Sequence, residues 1–553
     1  MILKKKNHQI IWIKKIIHIV KRLIFSLGII FFLLISSAVF YYYFSGINNK
    51  FTPTALVMAI NDKILNKYMG FNLRNTNDYF KIIGLKLSGA FKRNNLENIF
   101  LKVNQKSVLG LESQREIKSK TGGPIPDDMK FMYPAKIYKD DKKYDVKIRI
   151  KGNRKIHWIY KNKTSYKVDI KGDNKLWEME EFSFQKPITK NYTYEYLFHK
   201  LLGHVDLVNI KYFFVNLFFN EKNLGVYAVE ESFSKEILER HKKEVGPIFS
   251  IKDELGEYYP AIWFELYSNN YWVNKESSLI SELFLILNNI KKKNFEIGKY
   301  FDMDKWAKYF AIMDLTGSYH GSLLDSVKLY YNPTSKLFEP IGYDLHKGAG
   351  IFDNFILMDF LNQEGSTVDS KIACSFICRH KELYFLFFKR KNGELNYEFI
   401  NKYAKYLKEY SDDNFINSFL KIYKDDLLKY NNAIYRENSK TDRVNWKGFG
   451  FFVFDEKYLF TRSNLINQRI NSIKLEKINV SKYEDSLIYD DYFQSKFPVH
   501  AETLECSNNK NLKFFLVGAM KVGFKNDCKK IRLKDFNNNI IILDLKNKKE
   551  INY

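Results

Sequence analysis

A chain of 553 residues with 45% hydrophobic and 17% aromatic content is long enough for two or three domains and too apolar to be disordered. Its 89 basic residues against 63 acidic ones give a formal net charge of +26. That excess favours anionic partners such as phosphorylated glycans, lipid headgroups or nucleotides, although the abundance of Lys, Asn, Ile, Phe and Tyr also fits the coding bias of an AT-rich genome. No basic stripe interleaved with aromatics forms a nucleic-acid-binding motif, so no nucleic-acid partner is expected.

In chain order, residues 1–22 are a basic segment, and Leu23 to Phe44 is an unbroken uncharged run long enough to cross a bilayer as a helix. Lys4, Lys5, Lys6, Lys14, Lys15, Lys21 and Arg22 precede the run, whereas only Lys50 and Lys63 follow it in a similar span. The positive-inside rule then keeps the amino terminus in the cytoplasm and exports the rest. Ser36-Ser37-Ala38, the one small-residue candidate for cleavage, sits inside the run, so an uncleaved anchor is expected.

Residues 45–130 read as a stalk or accessory region, with amphipathic pieces at Asp78 to Leu87 and Ile99 to Val103 and a linker at Thr121-Gly122-Gly123-Pro124-Ile125-Pro126. The main domain is expected over 131–480. Alternating apolar and polar residues predict strands at Tyr133 to Tyr138, Tyr144 to Ile150 and Ser165 to Lys171. A helix follows at Tyr192 to Leu202. Strands Lys211 to Phe219 and Gly225 to Val229 flank a turn at Asn220 to Asn223, and Glu230-Glu231 closes the second of them. Ser234 is placed to cap a helix running through Lys243, and Leu279 to Lys292 and Asp304 to Leu315 predict two more. Val327 to Tyr331 and Leu337 to Phe338 flank Asn332-Pro333-Thr334-Ser335 as a hairpin whose second strand runs on to Asp344, before a loop containing Gly348 and Gly350. Helices are expected at Asn396 to Tyr410, Phe415 to Tyr435 and Tyr458 to Ile473, and a small β-rich tail domain over 481–553. The fold class is α+β with a helical C-terminal half. Cys374 and Cys378 share a helix face, Cys506 and Cys528 flank a β-like segment and could pair outside the cytoplasm, and neither pair has zinc-site spacing.

Phosphate-loop, dinucleotide-binding, zinc-protease and nucleophile-elbow motifs are absent. His199 and His204, near a helix end, read as structural. What remains is dispersed: a basic strand-loop-strand from Lys147 to Lys171, the carboxylates Glu230-Glu231 ending one strand, and Asp344 ending another. Each of these has an ordinary structural use, and a lone Asp344 most simply caps a turn. Together, a cation, a glutamate and a metal-binding aspartate are the parts that phosphoryl transfer needs.

The wording around these residues is more specific. VKIRIKGNRKIHWIYKNKTSYKVDI, FSFQKPITKNYTYEYLFHKLLG, FFVNLFFNEKNLGVYAVEESF and the stretch from Gly317 to Gly350 occur in an order and spacing that resembles the spore-coat-protein-H (CotH) kinase-like family, an atypical branch of the protein-kinase-like fold. The resemblance implies that Lys163 contacts nucleotide, that Glu231 is the glutamate after the family's G-x-Y, and that Asp344 is the metal ligand opening its W-D-x-D. Tyr343 replaces the Trp of that motif and His346 its second Asp. Where the family's catalytic aspartate falls, near His320-Gly321, there is no carboxylate, leaving His320 and Asp325 as base and second ligand in altered geometry. The expected function is an exported, membrane-anchored kinase-fold protein that transfers phosphate from ATP, with Mg or Mn, to a protein or envelope polymer. The alternative is a catalytically inactive pseudokinase, a surface scaffold or binding module for an anionic envelope polymer.

Overall fold

Short strands with one apolar face gain most by closing on themselves, and the first part of the described chain does this. The computed structural model describes residues 89–160, 162–255, 260–291, 296–322, 326–344, 355–361, 386–389, 395–438, 454–471, 475, 478–483, 486–491, 497–507, 511–516, 520–523 and 528–547. The apolar run 23–44, Asp325, His346, Cys374 and Cys378 lie outside these residues. Among the described residues no helix is long and apolar enough to cross a membrane.

Seven strands form a closed barrel: β1 (Asn98–Val103), β2 (Tyr133–Lys139), β3 (Lys142–Ile150), β4 (Tyr166–Ile170), β5 (Glu181–Gln185), β6 (Tyr212–Phe219) and β7 (Lys222–Glu231), in the order β1-β2-β3-β4-β5-β7-β6. Alternate residues point inward, so Ile99, Leu101, Val146, Ile148, Phe184 and Val229 share one buried core. β6 and β7 are joined by two residues, Asn220 and Glu221, at φ 45° and 70°. Positive φ at both gives the mirror-image turn that matches the twist of adjacent strands.

The barrel closes where β1 runs parallel to β6. Asn216 fastens this seam: its Oδ1 accepts from Asn94 Nδ2 at 2.6 Å, and its Nδ2 donates to Asn98 Oδ1 at 3.1 Å and the Leu96 carbonyl at 3.3 Å. β1 precedes residue 131, so part of the predicted accessory region completes the barrel. Helix α1 (Gln105–Thr121) lies there too, capped by Asn104, whose side chain accepts from Ser107 N, and ended by Gly122 at φ 78°. The sequence pattern did not predict α1 because the buried stripe is mostly polar: Ser107, Leu111, Gln114 and Lys118.

Helix α2 (Tyr194–His204) follows β5, and the short helix α3 (Lys235–Arg240) follows β7. Beyond them a second sheet has the order β11-β10-β8-β9, from β8 (Ile248–Leu255), β9 (Pro260–Leu266), β10 (Lys328–Asn332) and β11 (Leu337–Ile341). The β10–β11 hairpin forms as predicted; Asn332 Oδ1 accepts from Thr334 N at 3.0 Å to shape its turn. β11 stops at Ile341, three residues short of Asp344.

The longer helices among the described residues are α4 (Asn269–Lys291), α5 (Met303–Thr316), α6 (Tyr397–Tyr410), α7 (Asp413–Asn438) and α8 (Glu456–Ile470). Asp314, fully buried on α5, joins several of them. It accepts from Leu357 N and Tyr403 Oη through its carboxylate, and from the Arg462 guanidinium through its carbonyl.

The tail strands form two four-stranded sheets, and Cys506 is disulfide-bonded to Cys528 between paired strands. Their apolar residues, among them Val499, Leu516 and Leu533, join the cluster of Trp306 and Phe310 rather than building a separate core.

Candidate active site

β7 ends on two carboxylates, and strand alternation sends them to opposite faces. Glu230 is 1% exposed and has the parity of Val226 and Ala228, whose side chains pack outside the barrel core. Its Oε1 accepts from Lys151 Nζ at 2.5 Å and from Tyr343 Oη at 3.2 Å, and its Oε2 lies 3.8 Å from Lys190 Nζ. Lys190 ends the single turn Pro187–Lys190 after β5. Its ammonium reaches Asp344 Oδ1 at 2.5 Å and sits 4.3 Å from the centre of the Tyr343 ring.

Asp344 adopts φ 56°, a left-handed conformation that Asp tolerates better than most residues but still at a cost. That turn aims the carboxylate at Lys190 while presenting the carbonyl to His320. The His320 Nδ1–H donates to the Asp344 carbonyl at 2.6 Å, and Ser326 Oγ is 3.1 Å from the same nitrogen. In the neutral ring this hydrogen bond leaves the lone pair on Nε2. His320 is 3% exposed, so the ring is held in place by packing as well.

The charges reinforce one another. Burial opposes the charge on Lys190, but Asp344, Glu195 and Glu230 more than offset it and hold the ammonium above the ordinary lysine value. Burial likewise opposes the charge on Glu230, and Lys151 and Lys190 outweigh it, keeping the carboxyl below its usual range. His157, on the loop between β3 and β4, is pushed down to about 3 by burial and then by Lys151 and Lys190, so the ring stays neutral at physiological pH. Lys186, buried near Lys163 and Arg115, falls to about 7. Lys151 and Lys190 thus stand one to one with Glu230 and Asp344 in a largely buried place, next to a neutral imidazole.

Two predicted site residues lie elsewhere. Lys163 is on the β3–β4 loop, where its ammonium donates to the carbonyls of Leu224 and Val226 at 2.8 Å each and pairs with Glu437 of α7. Val226 is four residues before Glu230 on β7, or about 13 Å along an extended strand, so Lys163 does not join Asp344. Glu231 faces away from Glu230 and is held by the Arg240 guanidinium and by Lys211 N at 2.6 Å. His320 and Asp344 do come together, and Lys151, Lys190 and Glu230 are the partners that the spacing argument missed. Strand parity distinguishes Glu230 from Glu231, yet both are buried, so apolar alternation carries no signal at that end of β7.

Among the described residues no group of three or more His, Cys, Asp or Glu forms a metal-binding cluster. Mg and Mn bound to nucleotide take one or two carboxylates and complete their shell with phosphate oxygens and water. Asp344, a single carboxylate beside the Lys190 ammonium, fits that pattern, and the described residues do not fit a metal held by protein ligands alone.

Comparison with known proteins bears on this arrangement. No curated protein matches the chain. Among solved structures, the crystal structure of a Helicobacter pylori proinflammatory kinase, CtkA, is similar at 11% identity and a TM-score of 0.20, covering 55% of this chain and 90% of that one. Residues 148–474, more than half of the chain and inclusive of Lys151, Lys190, Glu230, His320 and Asp344, match the family described as CotH kinase protein, and the chain belongs to that family.

Proposed function

We propose that this kinase-like protein transfers the terminal phosphoryl group of ATP to a hydroxyl of a protein or envelope polymer, from a domain held outside the cytoplasm by the apolar run 23–44. The observation that carries the reading is the convergence of Lys151 and Lys190 on buried Glu230, with Asp344 2.5 Å from Lys190. Lys190 and Lys151 offset phosphate charge, and Glu230 keeps both ammoniums in place. Asp344 supplies a carboxylate to the divalent ion, which when bound neutralises charge on the phosphates. His320 accepts the acceptor hydroxyl's proton at Nε2 as the new P–O bond forms and ADP leaves. General bases of this kind contribute about 10²–10⁴-fold. The Cys506–Cys528 disulfide supports an oxidising compartment.

A second reading, the non-catalytic pseudokinase that binds an anionic envelope polymer, draws support from one observation. At the described centre each carboxylate already faces a lysine. Thermal unfolding of the full chain with ATP and Mg or Mn separates the two. The phosphotransfer reading expects nucleotide-dependent stabilisation that Asp344→Ala abolishes without unfolding the chain. A wild-type chain that neither metal and ATP stabilise leaves the scaffold.

A further inference from the structure

We propose that helix α1, which precedes the segment matched by the family, is the positioning element for Lys151: its Gln114 and Lys118 hold the main chain on both sides of that lysine. On the amino-terminal side, Gln114 Oε1 accepts from Ile150 N at 3.0 Å, while its Nε2 donates to the Phe131 carbonyl at 2.6 Å. On the other side, Lys118 Nζ donates to the Gly152 carbonyl at 2.9 Å and to the Gly123 carbonyl at 2.7 Å. Arg115 reaches the far limb of the same loop, donating to the Trp158 carbonyl and to Thr164 Oγ1.

Gln114 and Lys118 are 1% and 2% exposed. Their spacing of four residues places them on one helix face, so water does not compete for these bonds. Burial, then Arg149 and Lys130, lower the Lys118 ammonium to about 8, which leaves it mostly protonated near neutral pH. The linker after α1 joins the brace. A Cβ on Gly123 would sit 1.9 Å from the Asn153 carbonyl oxygen, so only glycine lets the linker lie against the loop. A helix serving as packing alone would bury apolar residues on this face. α1 buries Leu111 in the barrel core, but the last two residues of its buried stripe, Gln114 and Lys118, meet the peptide groups that flank Lys151, whose ammonium must meet Glu230 at 2.5 Å. Support of this kind decides whether a charged group sits where its ligand needs it.

The inference rests on the phosphate-site reading, and its test separates the two. ATP and adenosine affinities are measured with Mn on the full chain, together with hydrogen exchange over residues 150–165. Lys118→Met is expected to weaken ATP binding about 10- to 100-fold, as loss of supporting partners commonly does. Adenosine binding stays unchanged, exchange at Ile150 to Asn153 rises, and Lys118→Arg restores part of the ATP affinity. Should Lys118→Met fail to fold, Arg115→Gln, on a partly exposed side chain, is expected to lower ATP affinity several-fold with adenosine unaffected. Unchanged ATP affinity in the folded variant, or equal loss of ATP and adenosine, overturns the inference while the phosphate site stands. A wild-type chain that binds no ATP overturns both.

Discussion

Two lysine–carboxylate centres meet β7, one near its start and one at its end, and they are built differently. At the start, the Lys163 ammonium has three donors and three acceptors: the carbonyls of Leu224 and Val226, and Glu437. Glu437 also accepts from Val226 N at 2.9 Å. A Cβ on Gly225, at φ 81°, would lie 2.4 Å from Glu437 Oε1, so the strand is shaped around the pair. At the end, Lys190 is shared between Asp344 and Glu230, and Glu230 Oε2 is buried with no hydrogen-bond partner among the described residues. A saturated ammonium fastens one segment to another, here the carboxyl end of α7 to the barrel. A shared one is, on the phosphate-site proposal, where an arriving anion would bind. The same residue types therefore make a saturated attachment at one end of a strand and a shared, partly unsatisfied cluster at the other.

The largest expected effect comes from removing the shared cation. Lys190→Met leaves Asp344 and Glu230 with less compensation in a buried place, and breaking such pairs costs about 3–5 kcal/mol. Denaturant unfolding should show that loss, and ATP binding by the folded fraction should vanish. Retained ATP affinity would place the anion site elsewhere.

Glu437→Ala sharpens the contrast from the other side. It strips an acceptor from Lys163 and Val226 N, worth about 1–3 kcal/mol for groups left without partners. ATP affinity per folded molecule should hold. If nucleotide binding falls while stability does not, the Lys163 centre is a ligand site after all.

The effect that is smallest at neutral pH, and shows only on acidification, is a pH dependence. His157 titrates at about 3 in the fold against an ordinary 6.5, so folding favours its neutral form. Its contribution is present above 6.5 and is lost as the pH falls from there toward 3. Unfolding measured across that window should be shallower for His157→Leu than for the parent. Equal slopes would remove His157 from the electrostatics around Lys151 and Lys190.

What could be read beforehand follows from the range over which each signal acts. The β6–β7 and β10–β11 hairpins rest on neighbouring residues and on turn chemistry, and both were legible. Asp344 and His320 stood out through the wording around them. Lys190 did not, because it occupies a single turn and meets Asp344 from 154 positions away. Lys163 attracted attention as a lysine at a family position, but its partner Glu437 lies 274 residues on, at the end of a helix whose apolar stripe says nothing about its last turn. α1 was illegible because hydrophobic periodicity detects burial only when what is buried is apolar, and its stripe carries Gln114 and Lys118.

The barrel seam has a consequence for how the chain reaches its native state. Asn98 and Asn216, joined across β1 and β6, are 118 residues apart, whereas β2, β3 and β4 pair with immediate neighbours in sequence. Closing so long a loop costs entropy before any contact repays it, and topologies rich in such pairings fold slowly. The hairpins can assemble as soon as they emerge from the ribosome, but β1 has to wait with an open edge until β6 has been made. Until then α1 can already settle on β2 and β3, but the free edge of β1 is the piece most exposed to wrong partners.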